Sequence, residues 1–125
     1  MGQKDLIDTN VLIDAQMGRL SGKGLLFLKK IINDNFIVSF ITFIEYLGYK
    51  YITKSSEEFI SLAEVIEIDK FIIQNCIDLR KNHKIKLPDA IIAATALVRN
   101  LILITNNEKD FTAIQNLTVI NPYSL

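Results

Sequence analysis

A single cysteine, only two prolines and no excess charge of either sign rule out several classes before any motif is read. With Cys76 alone no internal disulfide can form, and a reducing cytoplasm is the expected compartment. No apolar run reaches the roughly 18 residues that a membrane-spanning helix requires, so no membrane role is expected. The opening Met1-Gly2-Gln3-Lys4-Asp5 runs directly into a strand-like segment, which argues against a secretory leader. Fourteen basic residues balance fourteen acidic ones. That removes the broad positive field of many nucleic-acid binders, and any such function has to come from local residues. The sequence also lacks repeats, low-complexity tracts, charge blocks and linkers, so residues 1–125 are expected to form one domain.

What is present is apolar. Half of the residues are hydrophobic, and the mean hydropathy of +0.27 is high for 125 residues. The aromatic-rich segments Phe36–Phe43 and Tyr46–Tyr51 hold more apolar area than one small core readily uses, which points to a partner surface.

Short apolar runs alternate with helix-length patterns. Strands are predicted at 5–8, 35–39, 64–68, 101–104 and 117–120. Helices are predicted over about 11–17, 21–33, 41–53, 55–62, 69–82 and 89–99, with a short turn at 108–114. This alternation predicts an α/β fold whose parallel sheet has helices on both faces. Ala90–Val98 is apolar all round, as suits a helix buried against the sheet, and Pro88 falls where that helix would start.

Parallel sheets collect ligands beyond the carboxyl ends of their strands. Asp8-Thr9-Asn10 sits at the end of the first predicted strand, and Thr105-Asn106-Asn107-Glu108-Lys109-Asp110 follows the fourth. Glu45 lies in the helix after the second strand, and Asp89 in the first turn of the buried helix. Converging carboxylates repel unless protonated or bridged by a cation. An oxygen-only donor set without His or Cys favours Mg²⁺ or Mn²⁺ over zinc. Each residue also has a plainer reading. Asp8 would serve as a helix N-cap, Asp89 as a favourable charge at a helix N-terminus, and Asn107 and Asp110 as caps of the short turn. Glu45 resists such a reading, because Phe40–Leu47 is otherwise apolar and a buried lone carboxylate is costly. It would escape that cost by pointing outward. Thr9 and Thr105 would orient water through their hydroxyls or simply cap local backbone.

The motifs together carry a resemblance. Leu6-Ile7-Asp8-Thr9-Asn10-Val11-Leu12-Ile13 is similar to the first acidic motif of PIN-domain proteins, and specifically of the VapC-type toxins of bacterial toxin–antitoxin pairs. The stretch Ser39–Gly48, with Glu45 as its acid, resembles the second motif, and Ile85–Ala96, with Asp89, the third. Leu103–Phe111 resembles the last, and Val119-Ile120-Asn121-Pro122 also fits. The likeness runs in order along nearly the whole chain. It implies a three-layer α/β/α fold with about five parallel strands ordered 3-2-1-4-5. It further implies an Mg²⁺/Mn²⁺-dependent endoribonuclease acting on RNA as the toxin of such a pair. Asp8, Glu45 and Asp89 would hold the metal, Thr9, Asn10 and Thr105 would support them, and a homodimer and a small antitoxin are implied as partners. The fourth acidic position falls on Asn107, with Asp110 one turn on. A neutral amide holds a cation more weakly than a carboxylate, so a second tight metal is not expected. A catalytically weak module that binds RNA or protein is the alternative.

Arg80, Lys81, Lys84 and Lys86, with His83 among them, form the densest basic stretch and lead straight to Asp89. They would hold flanking RNA phosphates or form a solvated helix end. His83 has no companion at metal-ligand spacing and is expected at the surface, and Cys76 within a helix face. Gly18–Gly24 has the look of a phosphate-binding loop but is one residue short before Gly-Lys and has Gly24 in place of Ser or Thr. It is expected to be a turn between two helices.

Overall fold

The structure, a computed structural model, describes residues 2–125. In chain order it comprises β1 (Asp5–Ile7), α1 (Thr9–Gln16), α2 (Gly22–Asp34), β2 (Ile37–Ser39), α3 (Phe40–Leu47), α4 (Lys54–Ile60), β3 (Glu64–Ile66), α5 (Lys70–Asn82), α6 (Leu87–Arg99), β4 (Ile102–Ile104), α7 (Glu108–Phe111), β5 (Val119–Ile120) and a closing 3₁₀ turn, Pro122–Ser124. All strand pairing among the described residues is parallel, as connections through helices require.

The strands form two ladders, β1-β4-β5 and β2-β3. β1 lies against β2, yet no ladder joins them, so the expected continuous order 3-2-1-4-5 is interrupted between its second and third members. Strands of three residues offer few hydrogen bonds to begin with, so a small twist between neighbours is enough to lose the ladder at such a seam. Alternation along each strand builds the three layers. Leu6, Ile37 and Leu103 face a core completed by α5 and α6, while Ile7, Val38 and Ile104 face a second core with Val11, Leu28, Tyr46 and Ile60. Ala90 to Ala96 of α6 is buried without a break, in keeping with its all-round apolar sequence.

The helix expected over 41–53 ends earlier. Gly48 caps α3 after Leu47, and Thr53 starts α4 by accepting the Ser56 N–H at 3.1 Å. A continuous apolar–aromatic pattern hid that break. The aromatic segments are also used more economically than expected. Phe36 and Tyr46 are core residues, and Phe36 packs on Phe59 with ring centres 4.8 Å apart, although Ile44 and Tyr51 stay exposed. Much of the remaining exposed apolar area lies on Leu62, Ile68, Phe71, Ile73 and Ile77.

The glycine-rich stretch does turn between α1 and α2. Gly18 and Gly22 hold φ of 75° and 60°, values that L side chains seldom adopt. Gly24 is fixed for another reason: a Cβ there would lie 2.2 Å from the Pro122 carbonyl oxygen. The C-terminal turn thus packs directly on α2, and the Tyr123 hydroxyl donates to Asp14 of α1.

Candidate active site

Parallel register sets the site. Ile7 pairs with Ile104, so the next residues, Asp8 and Thr105, emerge side by side at the carboxyl ends of β1 and β4. The backbone keeps them there, with the Asp8 N–H donating to the Ile104 carbonyl at 2.9 Å. Ser39 ends β2 and turns the chain into α3, while Pro88 sits in the first turn of α6 and starts the helix that carries Asp89.

Asp8 is 5% exposed, and both of its carboxylate oxygens are engaged. Oδ1 accepts the Thr9 N–H at 2.8 Å, and Oδ2 accepts the Thr105 hydroxyl at 2.7 Å. The capping reading of Asp8 is therefore correct as far as it goes, and the cap also fixes the side chain in place. Burial pushes its pKa up, opposed by the Thr105 and Thr9 hydrogen bonds. The Thr105 hydroxyl in turn accepts the Asn107 N–H at 3.0 Å.

Glu45 does not carry the buried charge that its apolar sequence context suggested. It is exposed toward the cleft, and its Oε1 accepts the Thr9 hydroxyl at 2.6 Å. Behind that contact lies a chain of hydroxyls that the sequence did not single out. Thr42, fully buried, has its oxygen 3.0 Å from that of Thr9, and the Ser39 hydroxyl lies 3.4 Å beyond. Thr9 has one hydroxyl proton, and the carboxylate at 2.6 Å takes it. Thr42 then donates to Thr9, and Ser39 to Thr42, so the chain points its donors toward Glu45. The Thr42 N–H returns to the Ser39 oxygen at 3.2 Å as the α3 cap. The only sequence signal was hydroxyl residues three positions apart at a strand–helix junction, which reads as capping alone.

Asp8, Thr9, Asn10, Glu45, Lys86, Asp89, Asn107 and Asp110 line one cavity of about 290 Å³. Asp89 is half-buried, and its pKa is raised to about 6. Burial is the largest cause, followed by the charges of Asp8, Asp110 and Glu45, with Lys86 pulling the other way. Asn107 does not cap α7 through its side chain; its amide donates to Asp110 Oδ2 at 2.7 Å and holds that carboxylate at the cavity rim. The donor set is oxygen-only and short of positive charge, which suits a hard divalent cation. Among the described residues no three acidic, His or Cys side chains stand close enough to close on one ion. Binding would require the carboxylates lining the cavity to draw inward.

The basic stretch divides. Lys86 enters the acidic cavity, and Arg80 and Lys84 line an adjoining groove, while Lys81 lines neither. His83 is half-buried beside Asn75 and Asp78 in a separate polar hollow, less exposed than expected. Cys76 is buried in α5, its thiol pKa raised by that burial.

Comparison with known proteins agrees with this architecture. The sequence matches the PIN domain family over residues 6–117. A chain of a toxin–antitoxin complex from Klebsiella pneumoniae superposes with a TM-score of 0.77 at 34% identity, over 96% of this chain and 98% of that one. A chain of VapBC2 from Rickettsia felis, solved bound to a DNA fragment from its promoter, gives 0.76 at 23% identity over 95% and 98%. FitAcB from Neisseria gonorrhoeae gives 0.75 at 23% identity over 96% and 99%, and at that identity these last two share the fold alone. No curated protein matches the chain. Among the described residues the family match takes in all seven α-helices and every residue lining the acidic cavity, and the chain belongs to the PIN-domain family.

Proposed function

We propose that this protein is an Mg²⁺- or Mn²⁺-dependent endoribonuclease and the toxin of a toxin–antitoxin pair. The observation that carries the reading is the meeting of Asp8, Glu45, Asp89 and Asp110 in one cavity at the carboxyl ends of the strands, with Asp89 held protonatable near neutral pH. Asp8, Glu45 and Asp89 would hold the cation. Once bound, it would supply Lewis acidity toward a phosphate and a more acidic water. The chain's own contribution is pre-organisation. Thr105 and the Thr9 N–H fix Asp8, and the Thr42–Thr9 hydroxyls support Glu45, so that less of the inward movement remains to be made on binding. An RNA phosphate entering an unneutralised cleft would be repelled by its carboxylates, whereas Lys86 within the lining favours its approach.

The neutral Asn107 argued for a binding module. Asp110, held by the Asn107 amide in the same cavity, restores a fourth carboxylate and favours catalysis. The test is direct: purified protein should cut RNA with Mg²⁺ or Mn²⁺, stop with EDTA, and lose activity as Asp89→Asn. Undiminished cleavage in EDTA would overturn the metal mechanism. RNA binding without cleavage in either cation would favour the module.

The partner reading has its own support. An apolar groove of about 500 Å³ runs among α1, α2, α3 and α4, past Leu12, Leu25, Leu28, Ile32 and Phe59. Gln16 lines it, with a buried Oε1 that has no hydrogen-bond partner. An antitoxin segment with apolar side chains and one backbone N–H would satisfy both features. Self-association through the exposed apolar side chains, as a homodimer, belongs to the same reading. No helix among the described residues is long and apolar enough to cross a membrane, and a cytoplasmic toxin is the proposed setting. Expression of the chain alone should arrest growth; normal growth would count against the toxin role.

A further inference from the structure

Beside the acidic cavity lies a second depression of about 560 Å³, lined by Arg80, Lys84, Ile85, Lys86, Leu87 and Asp110. The two are contiguous, because Lys86 and Asp110 line both. Three of the six lining residues are cations in a protein whose formal charges cancel. None of the three is held in a direct ion pair: the ion pairs among the described residues are Arg19–Asp14 and Arg99–Asp69. The groove is built from the last turn of α5, the loop that follows and the N-terminal end of α6, the helix that carries Asp89. Its apolar members are aliphatic, Ile85 and half-exposed Leu87, and it holds no aromatic ring on which a base would stack.

We infer that this groove is a phosphate track for the RNA backbone, in which Arg80, Lys84 and Lys86 take the phosphates on one side of the one in the acidic cavity. The inference rests on the ribonuclease reading and adds to it where the substrate lies and what recognises it. Cations without an aromatic stacking platform beside them chiefly engage the phosphate backbone, so the track is expected to discriminate little between sequences on this side. It also explains how a chain of zero net charge holds a polyanion: attraction is confined to one strip, and one-sided contact sets a minimum length of substrate. Lys81, one residue from Arg80 but outside the groove, has no part in it.

The test separates this inference from the reading beneath it by measuring binding apart from cleavage. Fluorescence anisotropy with a labelled single-stranded RNA is followed across a KCl series at fixed Mg²⁺, in an Asp89→Asn background, which removes a proposed metal ligand outside the groove without unsettling the fold. Each phosphate contact contributes about 0.7 to the slope of log K against log salt for a single strand, so three contacts give a slope near about −2. Arg80→Gln with Lys84→Gln should weaken binding and bring the slope down by about 1.4, whereas Lys81→Gln should leave it in place. Oligonucleotides shortened from the 5′ and from the 3′ end should lose affinity from one end only. An unchanged slope in the double variant, or equal loss in Lys81→Gln, overturns the track. If the protein of natural sequence binds RNA along this strip but fails to cut it in Mg²⁺ or Mn²⁺, the track stands and the nuclease reading falls. Circular dichroism of the double variant, with a thermal midpoint matching its parent, shows that altered binding is not misfolding.

Discussion

Replacing Asp89 with Asn tests whether the clustered carboxylates strain the fold. Asp89 has its pKa raised to about 6 by burial and by Asp8, Asp110 and Glu45. In the unfolded chain it titrates near about 3.9. The folded form therefore binds the proton more tightly. The contribution is fully present below the unfolded value and is lost as pH rises through about 6. Raising that carboxyl from its unfolded value to about 6 corresponds to a ceiling of about 3 kcal/mol. Asp89 is only half-buried and screened by solvent, so about 1 kcal/mol is the reasonable expectation. One effect opposes it. A carboxylate in the first turn of α6 is favoured by the helix dipole by about 0.3–1 kcal/mol, which the amide forfeits.

With EDTA present, urea unfolding at about pH 7.5 should find Asp89→Asn as stable as its parent or up to about 1 kcal/mol more stable. For a chain of this size that is a rise of about 4 °C in Tm. Near about pH 4 the parent's own carboxyl is mostly protonated when folded, and the advantage should vanish. Added Mg²⁺ should raise the Tm of the parent more than that of the variant, since only the parent keeps the full donor set. A variant more than about 1 kcal/mol less stable at neutral pH, or one whose difference from the parent ignores pH, would refute the reasoning. Asp89 would then be a helix-end charge and little else.

Two further substitutions probe the scaffold. Thr42→Val removes the buried hydroxyl between Ser39 and Thr9; cleavage should fall about tenfold with a stability loss of about 1 kcal/mol, and Thr42→Ser should restore both. Full activity in the valine variant would show that Glu45 needs no such support. Gly24→Ala places a methyl group against the Pro122 carbonyl and should cost about 1–3 kcal/mol by urea unfolding, together with faster hydrogen exchange at Tyr123; an unperturbed C-terminal turn would disprove that contact.

The elements were legible in the sequence because periodicity is strong where a segment has one apolar face or none that is polar. α6 announced itself through nine apolar or small residues, and the strands through β-branched runs bounded by polar turns. The end of α3 was not legible: Tyr46-Leu47-Gly48-Tyr49 continues an apolar–aromatic pattern, and one glycine inside a pattern does not distinguish a tolerated residue from a cap. Nor was the seam between β1 and β2, since residue identity says which strands neighbour each other more readily than how many hydrogen bonds join them. The carboxylates were found by their strand ends. Thr42 was missed because its role depends on which hydroxyl it faces across 33 residues of sequence, and no local pattern encodes that.

Asp8 shows why capping and catalytic readings of such residues should not be set against each other. A side chain that caps a helix following a parallel strand has one oxygen committed to the backbone and is thereby denied rotation. In this register the neighbouring strand is followed by Thr105, whose hydroxyl engages the other oxygen. Both contacts are hydrogen bonds to an anion, and each leaves lone pairs on its oxygen free toward the cavity. The cap thus supplies what a cation site of few ligands most needs, a carboxylate that is buried, ionisable and already oriented. Ser39 repeats the pattern one strand over: its capping oxygen anchors Thr42, which orders the hydroxyls aimed at Glu45. Caps that start helices α1 and α3 are in this fold also the supports of the proposed metal ligands. A substitution at Asp8 or Ser39 should therefore disturb folding and site together, whereas Asp89→Asn is the change able to separate them.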